Sequence, residues 1–240
     1  MFLLGLFALL IVAMASDFFL FRKAVEYYRE FQAIRLDPLG LHKKPFPSFP
    51  EGNAALALGD SRIARWPLPQ SPFRFVNLGI GGQTSVQVYL RYRHLRDRIP
   101  SLPVVLLQAG INDLKTIPLF PQRKKEIVAQ CKKNLYDLIT SLSQDHRKVI
   151  VATIFPTGTP SLLLRRPFWS NDVENAVREV NAYLRTLRND RIVIWDAYAL
   201  LNEDKERYYK DLLHLNETGY DMLNRELIFV LQNIRHKETK

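Results

Sequence analysis

The sequence predicts an α/β protein in which helices cover both faces of a parallel sheet. From Gly52 onward, short apolar segments alternate with longer segments of helical period, and this strand–helix order favours parallel pairing. The short segments are continuous apolar runs, which are typical of strands buried on both faces. The predicted strands are Ala54–Leu58, Arg74–Leu78, Pro103–Ala109, Lys148–Phe155 and Arg191–Asp196. The predicted helices are Ser85–Arg98, Pro121–Ser143, Asn171–Arg188 and Glu217–Arg235.

The composition fits one globular domain with a full core, since 47% of the 240 residues are hydrophobic. The single cysteine, Cys131, excludes an internal disulfide and a thiolate metal cluster. The formal net charge of +10 favours anionic partners, either nucleic acid or an acidic membrane surface. No zinc-finger spacing or RNA-binding signature is present, so no nucleic-acid partner is predicted and a membrane surface is the better candidate.

The N-terminal segment predicts a membrane anchor. Residues 1–15 carry no charged side chain, and Phe18–Phe21 extends the apolar run to about the 20 residues that a spanning helix needs, with Asp17 as its one costly member. Ala13-Met14-Ala15 also fits a signal-peptide cleavage site, but the basic leader is missing, so an uncleaved helix is predicted. The side of the membrane on which the rest of the chain lies stays open.

A helical pattern and then a linker separate this segment from the globular part. The pattern from Arg22 to Leu36 stops at Asp37-Pro38-Leu39-Gly40. Residues 42–50 contain three prolines and predict a stiff, extended linker. The predicted organisation is an anchor and linker over residues 1–50 and one folded domain over residues 51–240.

The first predicted strand ends in Gly59-Asp60-Ser61. A serine at this place lies at the carboxyl edge of the sheet, where open α/β folds bind ligands. If Ser61 also begins a helix, unpaired backbone N–H groups and the positive end of the helix dipole surround its hydroxyl. The alternative is that Asp60 or Ser61 only caps the helix.

The second strand leads into a glycine-rich loop, Gly79-Ile80-Gly81-Gly82-Gln83-Thr84-Ser85. Three glycines within four positions let the backbone turn tightly and approach a ligand closely. A phosphate-binding loop is the alternative, but neither of its glycine spacings is present.

The third strand ends in Gly110-Ile111-Asn112-Asp113. If this strand lies next to the first, the Asn112 amide can donate a hydrogen bond to an oxyanion near Ser61. An Asx turn that closes the strand explains the same residues equally well.

Asp211 and His214 are three residues apart near the C-terminus. One turn of chain brings both side chains to the same side. The aspartate can then hold Nδ1–H of the imidazole, which leaves Nε2 free to accept a serine proton. A structural histidine before a helix is the alternative.

Together these segments resemble the SGNH, or GDSL-type, hydrolases. The matching residues stand in the family's order and spacing: Gly59-Asp60-Ser61, Gly82, Gly110-Ile111-Asn112-Asp113 and Asp211-Leu212-Leu213-His214. The resemblance covers about residues 54–234. Gly82 is preferred to the neighbouring glycines because it precedes Gln83-Thr84, where the family commonly has Asp-Thr.

The resemblance implies a role for each of five residues. Ser61 would be the nucleophile, His214 the general base and Asp211 its orienting partner. The oxyanion hole would consist of the backbone N–H groups of Ser61 and Gly82 and the side chain of Asn112.

The same resemblance implies a fold and a reaction. The fold is a three-layer α/β/α sandwich around a five-stranded parallel sheet, of flavodoxin-like type, here preceded by the N-terminal hydrophobic helix. The reaction is carboxylic ester hydrolysis through an acyl-enzyme, and neither a metal nor an organic cofactor is required. The alternative from another class is a catalytically silent module that binds an acylated polymer in the same cleft.

A lysophospholipid-like monoacyl lipid or another acyl ester is the predicted substrate. Arg62 replaces the family's usual aliphatic residue after the nucleophile, so its guanidinium can reach the cleft and pair with a phosphate or carboxylate. Residues 161–169 contain leucines, arginines and Phe-Trp, as expected of a lid or a membrane-facing loop. The alternatives are a solvated Arg62, a packed surface loop, and a deacetylase that acts on an acylated carbohydrate.

Overall fold

The computed structural model describes residues 2–146, 148–158 and 170–238. Its strands are β1 Ala54–Gly59, β2 Arg74–Asn77, β3 Val104–Gln108, β4 Lys148–Ala152 and β5 Ile192–Trp195. They form one sheet in the order β2-β1-β3-β4-β5, and every pair is parallel. β1 therefore lies between β2 and β3, and the ends of these three strands meet at one edge.

Helices cover both faces of this sheet. The helices that follow β1 along the chain are α2 Ser61–Ala64, α3 Ser85–Leu95, α4 Ile111–Leu114, α5 Lys124–Asp145, α6 Asn171–Arg185, α7 Ala197–Asn202, α8 Lys205–Tyr208 and α9 Glu217–Glu238, and α1 Phe2–Leu36 precedes them in the sequence. Short 3-10 helices span Arg96–Arg98, Ile117–Leu119 and Pro121–Arg123. α3, α5 and α6 pack together on one side, and α2, α7 and α9 share a core with the other side. The predicted three-layer α/β/α sandwich around a five-stranded parallel sheet is confirmed.

The apolar runs of the strands follow from this double coverage. All six residues of β1 are buried, because alternate side chains face opposite helical layers. Ala57 and Leu106, for example, face the layer in which Leu223 and Leu227 of α9 pack. This is why the sequence of β1 shows no polar alternation.

The contacts divide the chain into two units, Met1–Lys43 and Lys44–Lys240. In the first unit, α1 is continuous, and the Asp37 carboxylate after it accepts the N–H groups of Leu41 and His42 at 2.8 and 2.9 Å. Within the described ranges no helix combines the length and apolarity needed to cross a membrane. The predicted spanning anchor is therefore not supported. Asp17, the one costly residue of the predicted span, lies within α1. The domain boundary at residue 50 stays a prediction.

β4 ends earlier than its apolar sequence predicts. The Asn181 side chain, from α6, accepts the Ile154 N–H and donates to the Ile154 carbonyl, both at 2.8 Å. This buried side chain thus satisfies the backbone of Ile154 in place of a neighbouring strand. The segment from Ile154 to Pro156 stays buried and irregular at the edge where β1 also ends.

Candidate active site

The predicted site residues follow neighbouring strands at one edge of the sheet. Ser61 begins α2 directly after β1, and the glycine-rich loop follows β2. Asn112 lies in α4, after β3. Gly59 pairs with Gln108 in the parallel register, so β1 and β3 end side by side, as the sequence prediction for Asn112 required.

Glycine is needed at position 59 because β1 and β3 approach each other closely there. A Cβ atom at Gly59 would lie 2.0 Å from the Gln108 carbonyl oxygen and 2.6 Å from Cγ1 of Ile63. Gly81 also lies close to the site, since a Cβ atom there would stand 3.7 Å from Cβ of Ser61. The glycine-rich loop therefore packs against the candidate nucleophile.

Asp60 caps α2 and leaves Ser61 free of that role. Its Oδ1 accepts the Arg62 backbone N–H at 2.9 Å, while Oδ2 has no hydrogen-bond partner among the described residues. Burial raises the pKa of Asp60 to about 6, although the positive charge of Arg62 and the hydrogen bond from its N–H act in the opposite direction. The capping alternative thus applies to Asp60.

Ser61, His214 and Asp211 form a hydrogen-bonded series. Nε2 of His214 lies 3.2 Å from Oγ of Ser61, and Nδ1 lies 2.9 Å from Oδ2 of Asp211. Asp211 also accepts the backbone N–H groups of Leu213 and His214, at 2.7 and 2.8 Å. Partial burial acts to raise the pKa of Asp211, but these hydrogen bonds outweigh it and hold the pKa below its usual value. Asp211 is therefore ionised at neutral pH.

The ionised carboxylate fixes the tautomer of His214. A carboxylate only accepts hydrogen bonds, so Nδ1 of the neutral imidazole must carry the proton. Nε2 is then the acceptor and faces the Ser61 hydroxyl. This arrangement can remove a proton from Ser61.

Asn112 contacts the glycine-rich loop at the residue that follows Gly82. The buried Asn112 side chain donates from Nδ2 to the Gln83 carbonyl oxygen at 2.9 Å, directly after Gly82. Gly82 has a φ of +80°, a backbone conformation that favours glycine. Neither the Ser61 nor the Gly82 N–H donates a hydrogen bond within the part of the chain that the structure describes. Both groups are thus available to a ligand.

Other polar side chains, for which the sequence motifs predict no role, also support this loop. Asp113 accepts the N–H and Oγ–H of Ser85 at 2.7 and 2.6 Å. The buried Arg91 donates to the Gln83 side chain at 2.9 Å. A polar residue on the buried side of a predicted helix, such as Arg91 in α3, is the signal that points to such a role.

The structure corrects the prediction for Arg62. Its side chain is fully buried and donates to the carbonyl oxygens of Leu213, Phe155 and Pro156 at 3.0, 3.0 and 3.2 Å. It therefore neither reaches solvent nor offers a donor to a substrate headgroup. Residues 161–169, the predicted lid, lie outside the described residues.

Comparisons with known proteins identify the family to which the chain belongs. Residues 49–222 match the GDSL-like Lipase/Acylhydrolase family. No curated protein sequence matches the chain significantly.

Solved structures of similar fold cover most of the chain. A member of the lipolytic G-D-S-L family from Veillonella parvula is 19% identical, with a TM-score of 0.58, over 75% of this chain and 98% of its own. A GDSL-like lipase from Bacteroides thetaiotaomicron is 20% identical, with a TM-score of 0.58, over 77% and 89%. An acetylxylan esterase from Geobacillus stearothermophilus is 18% identical, with a TM-score of 0.52, over 78% and 96%.

At these identities the solved structures show a shared fold, and the family match extends over most of the chain. The chain therefore belongs to the GDSL-like lipase/acylhydrolase family and is an ester hydrolase.

Proposed function

We propose that this protein hydrolyses carboxylic esters through a covalent acyl-enzyme on Ser61. The observation that carries the proposal is the hydrogen-bonded series from Ser61 through His214 to Asp211, with distances of 3.2 and 2.9 Å. A serine hydroxyl is a weak nucleophile by itself and needs an adjacent base that a third group orients. All three groups are present here in the required sequence of contacts.

In the first half of the reaction, Ser61 Oγ attacks the ester carbonyl while Nε2 of His214 takes the hydroxyl proton. Asp211 keeps its charge and stabilises the imidazolium that forms. The imidazolium then gives the proton to the departing alcohol oxygen, and the acyl group remains on Ser61. In the second half, His214 takes a proton from the water that attacks the acyl carbon and returns it to Ser61 Oγ as the acyl–Oγ bond breaks and the carboxylic acid leaves.

The oxyanion of each tetrahedral intermediate needs donors beside Ser61. The backbone N–H groups of Ser61 and Gly82 have no acceptor among the described residues, which supports them as two donors. The Asn112 Nδ2 group carries two hydrogens, and the bond to Gln83 uses one. We assign the second hydrogen to the oxyanion.

The contacts of Arg62 give no support to a lysolipid as the substrate. That prediction depended on Arg62, which is buried, and on residues 161–169, which lie outside the described residues. The proposal therefore extends to an acyl ester and assigns no headgroup.

Replacing Asn112 with alanine is expected to lower kcat by roughly 10²–10³-fold, because the variant loses one oxyanion donor. The expected change in KM is smaller, since the donor acts most strongly on the charge that develops in the transition state. Steady-state kinetics with p-nitrophenyl acetate measure both values. A folded Asn112→Ala variant with nearly unchanged kcat would remove Asn112 from the oxyanion hole.

Covalent labelling tests the proposal as a whole. A fluorophosphonate probe reacts rapidly only with an activated serine, so we expect the wild-type protein to be labelled on Ser61. Ser61→Ala should stay unlabelled, and mass spectrometry of the labelled peptide identifies the site. Folded wild-type protein that resists the probe, or labelling that persists in Ser61→Ala, would refute the assignment.

A further inference from the structure

Arg62 occupies an unusual environment for an arginine. Its side chain is fully buried, and arginines are seldom buried without a paired carboxylate. No carboxylate among residues 2–146, 148–158 and 170–238 forms an ion pair with its guanidinium. Its acceptors are three backbone carbonyls, and the guanidinium carbon lies 5.2 Å from the centre of the Phe155 ring.

These carbonyls belong to two segments that are remote in sequence. Phe155 and Pro156 follow β4, and Leu213 immediately precedes His214. Arg62 itself follows Ser61 in the chain and lies in α2. The guanidinium thus joins the segment of the nucleophile to the segment of the general base across the edge of the sheet.

The contact with Leu213 has a specific geometric consequence. The Leu213 carbonyl and the His214 N–H form one planar peptide group. Arg62 Nε holds the carbonyl side of this group at 3.0 Å, and Asp211 Oδ1 accepts the N–H side at 2.8 Å. With both sides held, the peptide plane has a fixed orientation, and the His214 side chain leaves the backbone in a fixed direction.

Other contacts hold the segment around His214 in the fold without the Arg62 side chain. The Gly158 N–H donates to the Leu212 carbonyl at 3.0 Å, and the Tyr220 hydroxyl donates to the Arg62 carbonyl at 3.0 Å. The second bond involves only the backbone of Arg62, so it survives replacement of the side chain. A change at Arg62 therefore loosens the orientation of His214 more than it releases the loop.

We infer that Arg62 is a positioning residue, which sets the distance between His214 Nε2 and Ser61 Oγ through the Leu213 carbonyl. This inference rests on the proposed roles of Ser61 and His214. A displacement of about 1 Å in a catalytic group lowers turnover by up to about 10²-fold. Arginine suits the position because its planar fork holds several acceptors in one geometry, which lysine cannot do.

The test compares Arg62→Gln and Arg62→Lys with the wild-type protein on p-nitrophenyl acetate. We expect Arg62→Gln to lower kcat by about 10- to 100-fold with KM within about 2-fold, because the substrate does not contact Arg62. Arg62→Lys keeps the charge and should have an intermediate kcat. The rate of fluorophosphonate labelling should fall by the same factors, since it depends on the same activation of Ser61.

Asn181→Ala is the matched control. Asn181 is also buried and holds Ile154, next to the segment that Arg62 contacts, but it has no bond to the His214 loop. We expect this variant to melt at a lower temperature while its kcat stays within about 2-fold of the wild-type value, since the Ser61–His214 geometry is unaffected.

The outcomes separate the two proposals. Wild-type protein that is not labelled refutes the proposed function, whatever the Arg62 variants do. If the wild type is labelled on Ser61 and a folded Arg62 variant reacts at the same rate, only the positioning role is refuted. The same conclusion follows if Asn181→Ala loses as much kcat as the Arg62 variants, or if neither Arg62 variant folds.

Discussion

Replacing Ser61 with alanine is expected to lower ester turnover by at least ~10³-fold, and His214→Ala should have an effect of the same size. The two side chains act as one unit through the 3.2 Å contact between Oγ and Nε2. The Ser61→Ala/His214→Ala double variant should therefore be no less active than either single variant. Asp211→Ala should have a smaller effect, because Asp211 orients His214 and does not contact the ester.

The measurement is kcat/KM on p-nitrophenyl acetate for each folded variant. Ser143→Ala and His94→Ala are matched controls, since the Ser143 hydroxyl donates to the Thr140 carbonyl in α5, away from the site, and His94 is exposed on α3. Near-wild-type turnover in Ser61→Ala would exclude this serine as the nucleophile. Multiplicative losses in the double variant would contradict the joint action of the two groups.

Gly59→Ala is expected to destabilise the domain strongly, for a reason that is independent of the chemistry at Ser61. The added methyl group would meet the Gln108 carbonyl oxygen at 2.0 Å and Ile63 Cγ1 at 2.6 Å. Overpacking in a core typically destabilises by about 1–3 kcal/mol. Here the nearest atom belongs to the neighbouring strand's backbone and cannot rotate away, so we expect a loss above about 3 kcal/mol.

Gly81→Ala is the control for this change, because its methyl group would meet Cβ of Ser61 at an ordinary 3.7 Å. Thermal unfolding followed by circular dichroism compares the two variants with the wild type. A Gly59→Ala protein that melts within about 2 °C of the wild type would mean that β1 and β3 can separate at this point, contrary to the close approach described above.

The sequence alone predicted the elements that a local hydrophobic pattern identifies. Continuous apolar runs located all five strands, and the polar residues after β1 and β3 pointed to the correct edge of the sheet. The individual roles of Ser61, Asp211 and His214 came from the family resemblance, since each motif alone also fitted a cap or a turn. They remain predictions that the distances support.

The sequence did not predict the hydrogen bonds that a side chain forms with backbone groups far away in the chain. Arg62 contacts residues 93, 94 and 151 positions away, and no local pattern reports such pairs. Its charge and its place beside the nucleophile suggested a contact with substrate, but three carbonyl acceptors satisfy it in the core. Asn181 shortened β4 in the same way, through a side chain that substitutes for a strand neighbour.

The contact between Ser61 and His214 also constrains when the protein can become active. The two residues are 153 positions apart, and α9 follows His214 directly. A ribosome adds about 5–20 residues per second, so the nucleophile is synthesised several seconds before its base. During that interval a nascent chain lacks the base that activates the serine. We therefore expect ester cleavage only after the segment that contains His214 has been synthesised and has folded beside Ser61.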